Sequence, residues 1–305
     1  MQLICFLTES SEHITKMSPA PRTGVQVPNP RPPGLPDFKS PPVTEVVLSV
    51  QFAALPQFRS VHAGLYWDEI RDEYPVVSEQ APIPPVFETF GATPMLAGFQ
   101  VQALTAPLPV RHWFETANSE HLVQLQQDRI LHNWRQRSPE LEYPRYESLR
   151  AKFEGEIDRL AALFKKEGLG ELRPNQCEVT YINTITSVEG QNPHKHLARI
   201  TPLWTGNLSE PFLPAPETTT VQTKYVLRKN DIPYGRVYVT FTPAYSATNY
   251  TPVVQLEITT RGRPDEENVA AAFALLDEQR DVVVRTFAGV TTPLMHKEWG
   301  RTDAT

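Results

Sequence analysis

Apolar residues recur along this chain with two periods, and the switches between them mark its elements. Residues 45–52, EVVLSVQF, alternate. Val46, Leu48, Val50 and Phe52 face one way, and Glu45, Val47, Ser49 and Gln51 the other, as in a half-buried strand. Residues 59–73 read as a helix with Val61, Leu65 and Ile70 near one side and Trp67 on its flank. Pro75 ends it, because the residue before a proline is driven out of the α region. A proline-rich loop is expected over 75–97. Strands are expected over 98–105, 110–117, 119–126 and 129–135, the last two joined by a tight turn at Gln127 and Asp128. On the final strand Ile130, His132 and Trp134 share one face. Arg129, Leu131, Asn133 and Arg135 share the other, a composition that predicts a solvated surface.

Over residues 144–167 the period changes to 3.6. Tyr146, Leu149, Phe153, Ile157, Leu160 and Phe164 form one stripe, Pro144 suits the first turn, and Gly168 suits the C-terminal cap. A strand over 177–188 follows, with Cys177, Val179, Tyr181, Asn183 and Ile185 on one face. Residues 189–217 predict a long loop with a helical turn near Leu203 and Trp204. Strands come next over 219–228, 236–242 and 253–261. Asp265 is expected to cap a second long helix reaching about residue 288, with the stripe Val269, Ala272, Phe273, Leu276, Val283, Val284 and Phe287. A short last helix opens at Pro293 and stops at Gly300.

Laid side by side, the two series match in order: strand, connection, meander, long helix. The expectation is therefore an α+β fold of two pseudo-repeated halves. Each half is an antiparallel meander packed against one long amphipathic helix, in helix-grip or ferredoxin-like layering. The halves span 41–170 and 171–305 and share one core. No residue-level repeat accompanies the pattern.

Composition changes this picture at one end. Proline stands at 30 positions, nine of them before residue 43, and PNPRPPGLPDF at 28–38 favours extended polyproline conformation. Residues 1–40 are thus expected to form a disordered proline-rich arm. Leu3 to Leu7 is the one apolar run near the start. It is short and has no basic residue before it, which argues against a signal peptide, and Met17 is an alternative start. The net charge is −6 and is spread along the chain without a basic run, so neither nucleic acid nor membrane is an expected partner. Two cysteines, Cys5 and Cys177, fit reduced thiols and a cytoplasmic setting.

Candidate chemistry is sparse. His194 and His196 lie two apart but lack a third ligand at metal-binding spacing. Cys177 on a strand reads as a small buried group before it reads as a nucleophile. Glu178 and Glu257 sit on separate strands, and a catalytic pair needs both within reach of one substrate. Trp113, Trp134, Tyr181, Tyr225 and Tyr238 all fall on strands and would line an apolar pocket if they shared a face; ordinary core is the simpler reading. No cofactor motif is present, so no cofactor and no catalytic residue is assigned.

Four stretches, PPVTEVVLSVQF at 41–52, LVQLQQDRILHNWR at 122–135 with YPRYESL at 143–149, EVTYINTI at 178–185, and DEQRDVVVRTFAGVTTPLMHKEWG at 277–300, carry a resemblance. Over residues 41–300 the chain resembles a sporadically distributed bacterial family of uncharacterised proteins. The resemblance implies no activity and no catalytic residues. Its patchy distribution would suit genes that travel with mobile elements or defence systems.

These readings converge on a non-catalytic binding or protein-interaction module. Its surface is expected on the sheet and the 189–217 loop, with Gln124, Asn133, Arg135, Tyr181 and Asn183 as contacts and a protein as partner. The alternative is an enzyme or small-molecule binder with a pocket between sheet and long helix.

Overall fold

The strands that alternation marks within the described residues all join one antiparallel sheet. The structure, a computed structural model, describes residues 32–91, 110–206 and 212–303. The strands are β1 (Pro36–Phe38), β2 (Val43–Phe52), β3 (Val76–Gln80), β4 (Arg111–Glu115), β5 (His121–Gln126), β6 (Arg129–Arg135), β7 (Pro174–Ile185), β8 (Val221–Lys229), β9 (Ile232–Tyr245), β10 (Pro252–Gly262) and β11 (Arg301–Asp303). The helices are α1 (Ser60–Ile70), α2 (Tyr146–Lys166), α3 (Leu197–Ile200), α4 (Val269–Val290) and α5 (Pro293–Glu298). Nine strands form one sheet in the order β3-β4-β5-β6-β2-β7-β10-β9-β8, while β1 and β11 pair separately. The fold is α+β and mostly antiparallel sheet. No helix among the described residues is long and apolar enough to cross a membrane.

Alternation divides the sheet into two faces. Val46, Leu48 and Val50 of β2 stand opposite Trp134, His132 and Ile130 of β6 and opposite Tyr181, Val179 and Cys177 of β7. This face is covered by helices. Phe164 of α2 meets Phe52 edge-on at 5.8 Å. Phe153 of α2 meets Phe273 of α4 at 6.0 Å, and Gln279 of α4 donates to the Cys177 carbonyl at 3.0 Å. The stripe expected on α2 is buried from Tyr146 to Phe164. Turn chemistry closes the hairpins: β8 and β9 meet through Asn230 and Asp231, both at positive φ, the geometry that matches strand twist.

Several expectations change. The arm is packed at its end, where Leu35 and Phe38 are buried and β1 pairs with β11. Phe38 sits edge-on to Phe287, so tertiary contact overrides a polyproline-prone composition. Residues 76–80, read as loop, form an edge strand on β4. Pro75 ends α1 without preventing a strand after it. On α1 the buried side is Ala63, Tyr66 and Ile70, while Val61 and Leu65 are exposed. Asn268, not Asp265, caps α4, accepting from the Ala271 amide at 2.8 Å. The helical turns of the long loop lie at Pro193–His196 and α3 rather than near Leu203. The strand expected over 98–105 lies outside the described residues.

Candidate functional site

The face opposite the helices carries polar residues, and over β5, β6 and the adjoining ends of β2 and β7 many of them are buried. Arg129, Leu131 and Asn133, expected to face water, are buried, as are Gln51, Gln124, Gln126 and Gln176. Part of the cover is the segment Ala81 to Phe90, APIPPVFETF, which leaves β3 and crosses the sheet as a strap. Its contacts follow the strand order. Arg111 of β4 donates to the Ala81 carbonyl at 3.1 Å. Gln126 of β5 accepts from the Ile83 amide at 3.0 Å and donates to the Ile83 carbonyl at 2.9 Å. Arg129 of β6 donates to the Pro84 carbonyl at 3.3 Å, and Gln51 of β2 accepts from the Val86 amide at 3.0 Å. Beyond β7 the Glu88 carboxylate reaches Arg261 of β10 at 3.4 Å, pairs with Arg236 of β9 and accepts from the Tyr238 hydroxyl at 2.7 Å.

Proline explains why such a strap is tolerated. Pro82, Pro84 and Pro85 have no N–H, so the segment brings few donors that need partners away from a ladder. Those of Ile83 and Val86 are met by glutamine carboxamides. The Gln126 carboxamide offers an acceptor and a donor to one residue, as a neighbouring strand would. Glu88 is only 2% exposed in its side chain, and a carboxylate so desolvated needs its cations and its phenol.

This face also holds unfinished pairing. Of the buried side-chain atoms without a hydrogen-bond partner among the described residues, Trp113 Nε1, Arg129 Nε, Arg135 Nε and Gln176 Oε1 belong to it; Thr223 Oγ1 and Gln279 Oε1 lie elsewhere. Trp113 is flanked by two guanidiniums, Arg111 at 5.4 Å and Arg135 at 5.9 Å from its ring centre.

The five residues singled out from sequence divide between the faces. Gln124, Asn133 and Arg135 lie on the polar face. Gln124 donates to Asn133 at 2.7 Å, Asn133 to Glu45 at 2.7 Å, and Arg135 to Glu115 at 2.7 Å. Tyr181 and Asn183 lie on the helix face and line a cavity of about 50 Å³ with Phe38, Tyr143, Arg145, Arg280 and Phe287. The Tyr143 and Tyr181 hydroxyls are 2.8 Å apart, and burial pushes the Tyr143 phenol pKa up. Arg145, with φ 68° and ψ 155°, holds a backbone shape that glycine normally takes, anchored by Asp37 at 2.9 Å. Sequence reasoning missed Gln51, Gln126, Arg129, Glu88, Arg236 and Arg261. One signal was available: the outward positions of β2, β5 and β7 carry glutamines, where a solvated face more often carries charge.

The remaining candidates are engaged elsewhere. His194 is buried with Nε2 beside the Val253 carbonyl at 2.8 Å, and the described residues include no metal-holding group of three. The Cys177 thiol is buried, which raises its pKa, and it points at the Ala272 carbonyl. Glu178 accepts from Arg261 at 2.6 Å, while Glu257 is exposed. The aromatics do not share a face: Trp134 is core, Tyr225 is exposed and Tyr238 holds Glu88. Beneath α2 a polar chain runs through the core. His121 Nδ1 is 3.1 Å from His132 Nε2, His132 Nδ1 is 2.9 Å from Glu156, and the Tyr74 hydroxyl donates to Glu156 at 2.5 Å.

No family model and no curated protein matches the chain. Among solved structures, the di-domain ARO/CYC StfQ from the steffimycin biosynthetic pathway is similar over 63% of this chain and 74% of that one, at 11% identity and a TM-score of 0.17. A likeness of that size carries no argument about fold or activity.

Proposed function

We propose that the protein is a non-catalytic binding module for a protein partner in the cytoplasm, and that its working surface is the polar face of the sheet. The observation that carries this reading is the set of buried polar atoms on that face, from Trp113, Arg129, Arg135 and Gln176, that have no partner among the described residues. Such atoms are rare in native proteins, and a site for a polar ligand is one reason to keep them. The residues best suited to chemistry are tied into other contacts: Cys177 in the core, Glu178 to Arg261, and Glu156 to His132 and Tyr74. On this reading the fold is two pseudo-repeated halves in helix-grip layering. The strand order supports it, since β2 pairs with β6, β7 with β10, and β2 with β7 between them.

A photo-crosslinking residue at Glu257, exposed on the polar face away from the strap, tests this in the native host against a control at Arg285, exposed on α4. A specific protein captured from Glu257 and not from Arg285 is expected. No capture, or equal capture from both, overturns the reading.

The alternative, a small-molecule site between sheet and helix, is favoured by one observation: the strained Arg145 borders the cavity that Tyr181 and Asn183 line. At about 50 Å³ it suits a compact apolar group with one hydrogen-bonding end. Phenol should raise the melting temperature of the native chain and not of Val284→Phe. Equal shifts in both remove this second reading.

A further inference from the structure

We infer that the strap is an exchangeable occupant, and that the partner presents an extended, proline-containing segment ending in a carboxylate that takes its place. The inference rests on the polar face being the binding surface, and it names what that surface selects. The resident segment shows the requirements. Gln126 asks for an amide and a carbonyl on the same residue, which proline cannot supply. Arg129 asks only for a carbonyl at the next position, where proline is acceptable. Gln51 asks for one more amide, at Val86. The clamp of Arg236, Arg261 and Tyr238 then asks for a carboxylate at the position of Glu88. Prolines elsewhere keep the chain extended and lower the entropy lost on docking.

Exchange is energetically accessible because the strap is held by polar contacts and buries little apolar surface. Phe87 is 54% exposed, and Ile83 and Val86 are only partly covered. Segments with few buried apolar contacts open well below the free energy of global unfolding. The strap contributes no ladder bond to the sheet, so the strands beneath do not depend on it.

A labelled peptide of the strap's own sequence, APIPPVFETF, tests this by fluorescence anisotropy on the full chain. The proteins are wild type, Glu88→Ala, which releases the clamp, and the double variant Pro84→Gly, Pro85→Gly, which keeps every contact but loosens the detached strap. In wild type the tethered strap competes at an effective concentration near millimolar. Both variants should therefore bind the peptide at least about tenfold more tightly than wild type, and a peptide carrying Glu88→Gln should lose at least about tenfold on both. Overturning results are no binding to either variant, binding equal to wild type, or indifference to the peptide's glutamate. A concentration-dependent dimer of the loosened variants that excludes the peptide would assign the face to a second copy's strap and also overturn the inference. Peptide failure with a partner still captured at Glu257 overturns this inference alone, whereas peptide binding without capture overturns the wider reading.

Discussion

The two faces of the sheet achieve burial by opposite means. On the helix side Leu48, Val179, Val239 and Ile258 are completely buried and need only neighbours of the right volume. On the polar side Gln51, Gln126 and Arg129 are nearly as buried, and each needs a particular partner at a particular atom. An apolar contact can be replaced by another of similar shape. A polar one cannot, because removing one partner leaves the other desolvated and unpaired. On the proposed function, the face suited to discriminate among ligands is the polar one. Its buried atoms without a partner among the described residues lie on Trp113, Arg129, Arg135 and Gln176. The helix side buries polar groups too, Glu156, Thr260 and Gln279 among them, and it surrounds Glu156 with His132 and Tyr74.

The largest effect that separates the faces is expected from Phe153→Ala on α2. It should destabilise the chain by about 3–5 kcal/mol in urea titrations, through lost transfer energy and an unfilled cavity. A loss below about 1 kcal/mol would mean that the helix face is not the stabilising one. Gln126→Ala on the other face should cost about 1–2 kcal/mol and accelerate hydrogen exchange at the Ile83 amide, while amides of β2 and β7 stay protected. Uniform acceleration across the sheet would show that the strap and strands open together.

Acid should probe the polar chain beneath α2. Burial, then His132 and Lys152, push the His121 pKa down to about 3 from an ordinary 6.5. The folded value lies below the unfolded one, so the unfolded chain takes up a proton first. Stability from this group is complete above pH 6.5 and is lost as pH falls from there toward 3. The slope should stay under about 1.4 kcal/mol per pH unit, reduced because the ring is partly exposed. His121→Gln should flatten it, and an unchanged slope would assign the acid sensitivity to another group. Smallest of all, Lys229→Ala breaks an exposed pair with Glu278 and should change stability by no more than about 0.5 kcal/mol.

Much of the fold was legible from pattern. The alternation of β2 and β6 and the stripe of α2 read correctly because periodicity is local and each apolar position has one sensible direction. The five candidate residues were legible as strand positions, but not as one surface. Gln124, Asn133 and Arg135 lie together on the polar face, whereas Tyr181 and Asn183 lie on the helix face, where they border a cavity. A polar residue in a strand announces which neighbours share its face, not whether that face is wet. Arg129 and Asn133 were read as solvated for that reason, and the burial of their face reverses it.

By itself the sequence determined the alternation, the amphipathic helix stripes and the positions where proline forbids a ladder, since all of these are set by residues within a few positions of one another. Only the tertiary structure decided that residues 81–90 lie across the sheet and that Glu88 meets Arg236, 148 positions further on. The physical reason is that side-chain amides and guanidiniums bond main-chain groups with no period and no fixed spacing, so such contacts leave no trace until the strands are assembled.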